Sequence, residues 1–205
     1  MYMTFRNMRC NNMGQMQDAI GVTTWARDRL NSEHGGSYSV SVNIGGDPTA
    51  ISLTGAFATM ADYEKLRGAI AADTSMQAVI RMSSDLLAEA QDSITQVLRP
   101  PGQVGAIAGV NTAMMQLPAV AEAIPFAMEV SDFVKAKLGN DLGVMTAVTG
   151  NRAGLAWIGF SDSLDQAAQD GQALESDPDY LAFFKRSENL FVPGTLEQSY
   201  WQLLP

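Results

Sequence analysis

The amino-acid sequence repeats itself at a spacing of 104 residues, and this repeat limits the fold more than any motif does. Residues 1–98 recur, with low identity, from about residue 105 to residue 204, with a two-residue insertion near Pro193. A register without gaps over most of a half predicts two copies of one structural unit. We therefore expect a first unit at 1–98, a linker at 99–103 and a second unit at 104–205. The shift pairs Asn7 with Asn111, Gly35 with Gly139, Val40 with Val144, Gly46 with Gly150, Gly55 with Gly159 and Asp73 with Asp177.

Charge and cysteine content argue against several classes of protein. The 205 residues carry a formal net charge of −9 at pH 7 and no Lys/Arg cluster, which disfavours binding to a nucleic-acid backbone. A single cysteine cannot form an intrachain disulfide, which suits the cytoplasm. No segment offers the roughly 20 uninterrupted apolar residues of a spanning helix, and the first residues do not resemble a signal peptide. We therefore expect a cytoplasmic protein without a nucleic-acid or membrane partner.

Each half has the predicted element order strand, helix, strand, strand, helix, strand. Apolar residues recur at helical spacing from Met16 to His34 and again from Val120 to Leu138. Alternating polarity predicts a hairpin with strands at 38–44 and 50–56. Capping residues predict that the second helical region of each half consists of two consecutive helices. The remaining strands are expected at 2–8, 93–98, 106–112, 154–160 and 199–204, and the capping residues are Thr59, Asp73, Ser163 and Asp177.

The order βαββαβ is that of a ferredoxin-like unit, a four-stranded antiparallel sheet with its helices on one face. The open face of each sheet needs a cover, so we expect the two sheets to pack face to face. In element order and repeat spacing the chain resembles the dimeric α+β barrel superfamily, in its members with two units fused in one polypeptide. The resemblance implies an α+β fold with an intrachain barrel, and a homo-oligomer as one option. Its range of functions includes cofactor-independent monooxygenases of the antibiotic-biosynthesis type, small-molecule isomerases and dehalogenases, and haem-binding enzymes.

One face of the predicted hairpin in the first unit is polar. Tyr38, Val40 and Val42 alternate with polar residues, so we expect the apolar set under the helices and the polar set between the sheets. The corresponding positions of the second unit are apolar, and such a mixed lining suits an amphipathic ligand. Hydroxyls bonded to neighbouring backbone would fill the same space without a ligand. The candidate ligand-binding residues are Arg6, Ser39, Ser41, Asn43, Ser52, Thr54 and Thr95 in the first unit and Met145, Ile158 and Trp201 in the second.

Arg6 belongs to this set under one condition. It alternates with Asn7 along the first strand, so only one of the two side chains faces the space between the sheets. If that side chain is Arg6, its guanidinium suits a carboxylate or an enolate. If it is Asn7, the Asn7/Asn111 pair is a structural feature of the strand–helix loop. The sequence leaves both alternatives open.

The sequence identifies no catalytic residue. His34 is the only imidazole, and its position before Gly35 favours a structural role at a helix C-terminus, where the helix dipole stabilises a cation. A catalytic or haem-binding role is the alternative. One Cys and one His cannot complete a zinc site, and no glycine-rich phosphate loop occurs. We therefore expect no metal and no cofactor.

Two hypotheses follow for the function. In the first, the protein binds a small amphipathic molecule between the sheets and acts as a cofactor-independent monooxygenase- or isomerase-type enzyme. In the second, it is a non-catalytic structural or oligomerising protein with a solidly packed barrel. Interior volume separates the two, because Gly143, Ala147 and Ala156 either leave a cavity or make room for Trp201.

The first hypothesis predicts how alanine substitutions on the polar face change ligand binding. Ser41→Ala or Asn43→Ala removes one hydrogen bond to the ligand, so we expect a loss of about 0.5–1.5 kcal/mol in binding free energy with little change in stability. Trp201 fluorescence during titration with small phenols or quinone-like compounds measures the binding. Trp157 is the internal control, since alternation puts it on the helix-covered face. A response confined to Trp157 would argue against this pocket.

Overall fold

Eight β-strands and six α-helices follow one another along residues 1–205 in a computed structural model of the chain. Contacts divide the chain into a first unit of residues 1–95 with 203–205 and a second unit of residues 96–202. The division therefore falls before the expected linker at 99–103. None of the six helices is both long enough and apolar enough to cross a bilayer.

The first unit has the predicted order of elements, with two consecutive helices before its last strand. The core of this unit includes Val40, Ile51 and Leu53, which lie under the helices as the alternation predicts. Its elements are β1 (Tyr2–Cys10), α1 (Met16–Glu33), β2 (Tyr38–Asn43), β3 (Ala50–Phe57), α2 (Met60–Ala72), α3 (Thr74–Met82) and β4 (Leu87–Arg99).

The second unit has the same order of elements. Its core includes Val144, Leu155 and Trp157, which lie under the helices of this unit. Its elements are β5 (Ile107–Met114), α4 (Val120–Leu138), β6 (Gly143–Ala147), β7 (Gly154–Ser161), α5 (Leu164–Glu175), α6 (Pro178–Ser187) and β8 (Glu197–Leu204).

Hydrogen bonds connect the strands of each unit into a four-stranded antiparallel sheet. Within the first unit the neighbours run β4-β1-β3-β2, and within the second unit they run β8-β5-β7-β6. The fold is thus an antiparallel α+β fold in which strand order is repeated along with element order.

The strand β4 is longer than the sequence predicts. It begins at Leu87, whereas alternating polarity places its start at Ser93. The residues between them are mostly exposed and include Ala88, Glu89, Ala90 and Gln91, all of which favour a helix by intrinsic propensity. Strand pairing overrides that propensity here, so no local pattern marks the extension.

Strand pairing also changes one of the predicted equivalences between the halves. Arg6 on β1 lies opposite Leu53, and Asn111 on β5 lies opposite Trp157. Leu53 and Trp157 are 104 residues apart, whereas Arg6 and Asn111 are 105 residues apart. A slip of one residue moves a side chain to the other face of a sheet. The predicted pair Asn7/Asn111 is therefore wrong, and Asn111 holds the position that Arg6 holds in the first unit.

An aspartate begins the last helix of each unit, as predicted, and also binds the preceding long helix. Asp73 accepts backbone hydrogen bonds from Ser75 and Met76 at 2.9 and 3.0 Å through one carboxylate oxygen. Its other oxygen lies 2.6 Å from Arg29 Nε and 2.9 Å from His34 Nε2. These bonds hold the pKa of Asp73 well below its usual range, with Arg29 as the largest cause. His34 is thus the C-cap residue that follows α1, and it takes part in a structural contact.

Asp177 repeats this arrangement in the second unit. Its side chain accepts from the backbone of Asp179 and Tyr180, and Lys137 Nζ near the end of α4 lies 2.5 Å from its other oxygen. The Lys137 ammonium is the largest cause of a lowered pKa at Asp177. In each unit, then, one carboxylate fixes the last helix to the long helix beside it.

We expect Asp73→Asn to lower the melting temperature at neutral pH, because the Arg29 guanidinium then loses one of its two anionic partners and retains only Glu33. The folded-state pKa of Asp73 is depressed, so its contribution to stability is present above the unfolded value of about 3.9 and is lost as the pH falls below it. Thermal melts of the wild type and the variant should converge on acidification. Asp28→Asn, at an exposed carboxylate of α1, is the control and should change little. His34→Gln, which retains a donor, should also be tolerated.

Candidate functional site

Each unit has a cavity between its sheet and its helices, and both cavities are partly open to solvent. The second-unit cavity has a volume of about 880 Å³ and is bounded by β5, β7, β8 and all three helices of that unit. The first-unit cavity is smaller, at about 560 Å³. Both lie on the helix-covered side of the sheets, whereas the predicted polar face lies on the opposite side. The second-unit cavity is within the size range of small-molecule sites and is the candidate functional site.

The floor of the second-unit cavity is a row of side chains across three strands. Asn111 on β5 lies between Trp157 on β7 and Gln198 on β8 in the strand register. Two residues earlier on β5, Gly109 lies opposite Tyr200. The floor therefore presents two amides, one indole and one phenol to the cavity.

Glycines open this floor. A Cβ atom at Gly109 would lie 3.4 Å from the Tyr200 ring, which is ordinary van der Waals contact, so the ring lies directly against the strand here. A Cβ atom at Gly159 would lie 2.6 Å from Leu142 Cδ2. Larger residues at these two positions would occupy the space above β5 and β7.

Aromatic side chains from helices and a loop form the roof. The rings of Phe126 on α4 and Phe183 on α6 meet edge to face at a centroid distance of 5.7 Å. Phe191, from the loop before β8, lies 5.8 Å from the Trp157 ring. Tyr180 completes this wall from the first turn of α6. Such a lining suits the flat faces of an aromatic ligand.

Some polar side chains of the floor already form hydrogen bonds within the chain, and others have donors that remain available. The Trp157 indole donates to the Ala127 carbonyl at 3.1 Å, so it is held in place. Gln198 Nε2 donates to Tyr200 Oη at 3.0 Å, which leaves the phenolic hydrogen of Tyr200 available to another acceptor. The half-buried Asn111 side chain makes no hydrogen bond within the chain. Asn111 and Tyr200 can therefore both donate to a ligand oxygen.

The charged side chains that line this cavity are all acidic, and the nearest cation, Arg186, lies over the Phe126 and Phe183 rings at 5.5 and 5.3 Å from their centroids. Asp170, Glu175 and Glu188 line it, and no Lys, Arg or His does. Burial, followed by the charge of Glu175, raises the pKa of both Tyr180 and Tyr200. Both phenols thus stay protonated at neutral pH and serve as hydrogen-bond donors. The lining therefore offers a ligand carboxylate no cationic partner.

The structure separates Arg6 from the other predicted ligand residues. Arg6 lies on the same face of β1 as the core residue Met8 and lines the first-unit cavity, so Asn7 is the residue on the opposite face. Its guanidinium forms two hydrogen bonds of 2.7 Å with Asp92 on β4. These bonds are the largest cause of the lowered pKa of Asp92.

Four of the other predicted residues lie together on the face of the first sheet that is opposite its helices. Ser39 is opposite Thr54 and Ser41 is opposite Ser52, with Ser41 and Ser52 both buried. The Asn43 side chain accepts from the backbone of Gly45 within the hairpin turn. Ligand binding by this face stays a prediction.

The remaining predicted residues are placed as follows in their own units. Thr95 Oγ1 donates to the Met3 carbonyl at 3.4 Å in the first unit. Met145 and Ile158 are buried in the second unit. The Trp201 indole donates to Ser199 Oγ at 2.9 Å. None of these four residues lines either cavity. The same holds for Ser39, Ser41, Asn43, Ser52 and Thr54. No cluster of three or more His, Cys, Asp or Glu side chains is arranged to hold a metal ion.

Sequence reasoning missed the residues that line the second-unit cavity, namely Asn111, Trp157, Tyr180 and Tyr200. The one available signal was the occurrence of glycine at 109 and 159, on two strands where apolar side chains would otherwise cover the sheet. The 104-residue shift concealed Asn111, because it aligned this residue with Asn7 on the other face.

Comparison with solved structures supports the fold over the whole chain. A candidate monooxygenase from Lactobacillus acidophilus NCFM superposes with a TM-score of 0.70 at 8% identity, over 98% of this chain and 93% of that one. A candidate monooxygenase from Fusobacterium nucleatum gives 0.71 at 7% identity, over 100% and 92%. An anthrone oxidase-like protein gives 0.72 at 11% identity, over 100% and 91%.

No family model matches the sequence, and no curated protein matches it. The structural neighbours share the dimeric α+β barrel fold, and this chain has that fold over nearly the full length of single neighbouring chains. At these identities the likeness defines the fold alone.

The tyrosines of the second-unit cavity give a prediction for alkaline titration. Because their folded-state pKa values are raised, Tyr180 and Tyr200 should ionise above the usual value of about 10 when absorbance near 295 nm is followed. Tyr180→Phe and Tyr200→Phe should each remove part of the late-ionising amplitude. The unfolded chain ionises first, so these groups should lower the free energy of unfolding as the pH rises above that value. Unchanged titration curves in both variants would contradict the assignment.

Proposed function

We propose that the second-unit cavity binds an uncharged polycyclic aromatic molecule that carries a carbonyl or hydroxyl oxygen, and that the protein oxidises it with O2 without a cofactor. The observation that carries this proposal is the cavity itself: about 880 Å³, walled by aromatic rings, with two free donors on its floor and no cation. Its volume suits a molecule of three fused rings. The predicted binding of a small molecule is retained, at a site under the helices of one unit.

The polar groups fit one end of such a ligand. Asn111 lies on β5, and Tyr200 lies on the adjacent strand β8, two residues beyond the position opposite Asn111. In the proposed complex both side chains donate to a single ligand oxygen. Phe126, Phe183 and Trp157 then contact the flat faces of the rings. Hydrogen bonds to an oxygen become stronger as negative charge develops on it, so these donors favour the enolate over the neutral ketone.

Oxidation of an activated methylene balances with O2 as the only co-reactant. Loss of a proton from the CH2 group gives an enolate, and we propose the Glu175 carboxylate as the proton acceptor. The carbanion carbon forms a C–O bond with O2, which is reduced to a bound hydroperoxide once it takes up a proton. Loss of the second C–H proton breaks the O–O bond, releases water and leaves a new C=O group. Four electrons pass from the substrate carbon to O2.

The structural neighbours support this class of reaction by analogy. Two are candidate monooxygenases and a third is an anthrone oxidase-like protein. Anthrone has a methylene between two aryl rings and a carbonyl opposite, which is the chemistry that the cavity suits. The analogy suggests the substrate class, and the aromatic walls and the two donors of the second-unit cavity support it.

We further propose that the two units are tandem ferredoxin-like copies, which the repeated strand orders β4-β1-β3-β2 and β8-β5-β7-β6 support. The predicted face-to-face packing of their sheets stays a prediction.

A buried single cysteine, Cys10, supports a cytoplasmic setting, and the net charge of −9 argues against a nucleic-acid partner. A homo-oligomer stays part of the proposal.

The test is binding and turnover of anthrone. In a protein with Trp25→Phe and Trp201→Phe, Trp157 is the only tryptophan, and its emission should be quenched on titration with anthrone. Oxygen uptake and anthraquinone formation should exceed the spontaneous rate. Asn111→Leu keeps the volume and removes the amide, so we expect binding to weaken about three- to tenfold with an unchanged melting temperature. Glu175→Gln should lower turnover more than binding.

Gln202→Leu is the matched control, since Gln202 is an exposed polar residue of β8 outside the cavity. It should leave binding and turnover unchanged. Quenching without turnover would limit the protein to binding, and would overturn the oxidase proposal. Absence of both would favour the alternative of a non-catalytic structural protein.

A further inference from the structure

We infer that the first-unit cavity is a second and separate binding site, which takes an aromatic carboxylic acid through Arg6 and Arg67. The cavity lies between the sheet of the first unit and its helices α1, α2 and α3. Its wall contains the two arginines, two acids and a mixture of apolar and neutral polar side chains.

The two guanidinium groups converge on one carboxylate. Arg6 from β1 binds Asp92 with two hydrogen bonds of 2.7 Å, and Arg67 from α2 approaches the same carboxylate at 3.7 Å. The second distance is too long for a hydrogen bond. The single Asp92 carboxylate is therefore shared by two guanidinium groups, and it forms hydrogen bonds with Arg6 alone.

Unused donors remain on both arginines. A guanidinium has five N–H groups, and Arg6 uses one on Nε and one on Nη2 for Asp92. Arg67 makes no hydrogen bond with any residue of the chain. Glu89, the other acid in the cavity wall, forms no ion pair with either arginine. A ligand carboxylate can thus bind Arg67 in the two-pronged geometry that guanidinium groups favour, and reach Arg6 beside it.

The remainder of the wall indicates the body of the ligand. Tyr38, Tyr63, Leu30, Leu53 and Met76 line the cavity together with the arginines, and Leu53 lies opposite Arg6 in the strand register. Burial raises the pKa of the Tyr38 phenol, which stays protonated beside the cations. An aromatic ring with one carboxylate matches a wall that combines two cations with aromatic and aliphatic side chains.

The register explains why the two cavities differ in charge. Arg6 and Asn111 hold the same position relative to Leu53 and Trp157 in their own sheets. The first-unit cavity therefore has a cation where the second-unit cavity has an amide. The acid site involves none of the residues proposed for oxidation and is independent of that function.

The test is isothermal titration of the full chain with 2-naphthoate and with neutral 2-naphthol. We expect 2-naphthoate to bind at one site, and Arg67→Gln to weaken it about tenfold or more while leaving 2-naphthol unaffected. Asp92→Asn removes the competing carboxylate and should tighten the binding of 2-naphthoate. A melting curve of each variant confirms folding.

Arg81→Gln is the matched control, because it removes one positive charge from the exposed surface of α3 and does not line the cavity. It should leave the affinity unchanged, as should Asn111→Leu in the other unit. Failure of 2-naphthoate to bind both the wild type and Asp92→Asn would overturn the inference. Equal losses in Arg67→Gln and Arg81→Gln would also overturn it, since nonspecific charge would then explain the binding.

Discussion

The anchoring of each unit's last helix by one aspartate is the contact on which the two cavities depend. Asp73 and Asp177 accept the first backbone N–H groups of α3 and α6 and also bind cations at the ends of α1 and α4. Because ionic and capping contacts at the helix ends fix the helices, the space beneath them does not have to be filled by close packing. Tyr180 and Phe183 on α6 can therefore form a roof above an open volume.

Glycines and aromatic rings shape that volume from below. Gly55 lets the Tyr38 ring lie across β3, where a Cβ atom would come 2.5 Å from it, and the Tyr200 ring lies against Gly109 of β5 in the other unit. In both units a phenol near the floor is buried enough to have a raised pKa. The two halves thus use the same device, a ring laid over a glycine, to place a protonated hydroxyl inside the sheet–helix space.

Chemistry differs between the halves at one structural position. Arg6, with Asp92 and Arg67 beside it, makes the first-unit cavity a charged site. Asn111, with aromatic rings above it and only acids at the rim, makes the second-unit cavity suit an uncharged ligand. Two units with the same order of elements permit this division, because the lining of one cavity can differ in charge from the lining of the other.

The sequence by itself determined the α+β class, the order of elements and the helix starts at Thr59, Asp73, Ser163 and Asp177, because capping and hydrophobic period are local properties. It also assigned His34 to a helix end. Only the tertiary structure decided the register of β1 and β5, the early start of β4 and hence the face on which Arg6 and Asn111 lie. A register is fixed by pairing between distant segments, and a shift of one residue exchanges the two faces of a strand. For that reason the sequence directed attention to the polar face, and the cavities were found on the other side of the sheets.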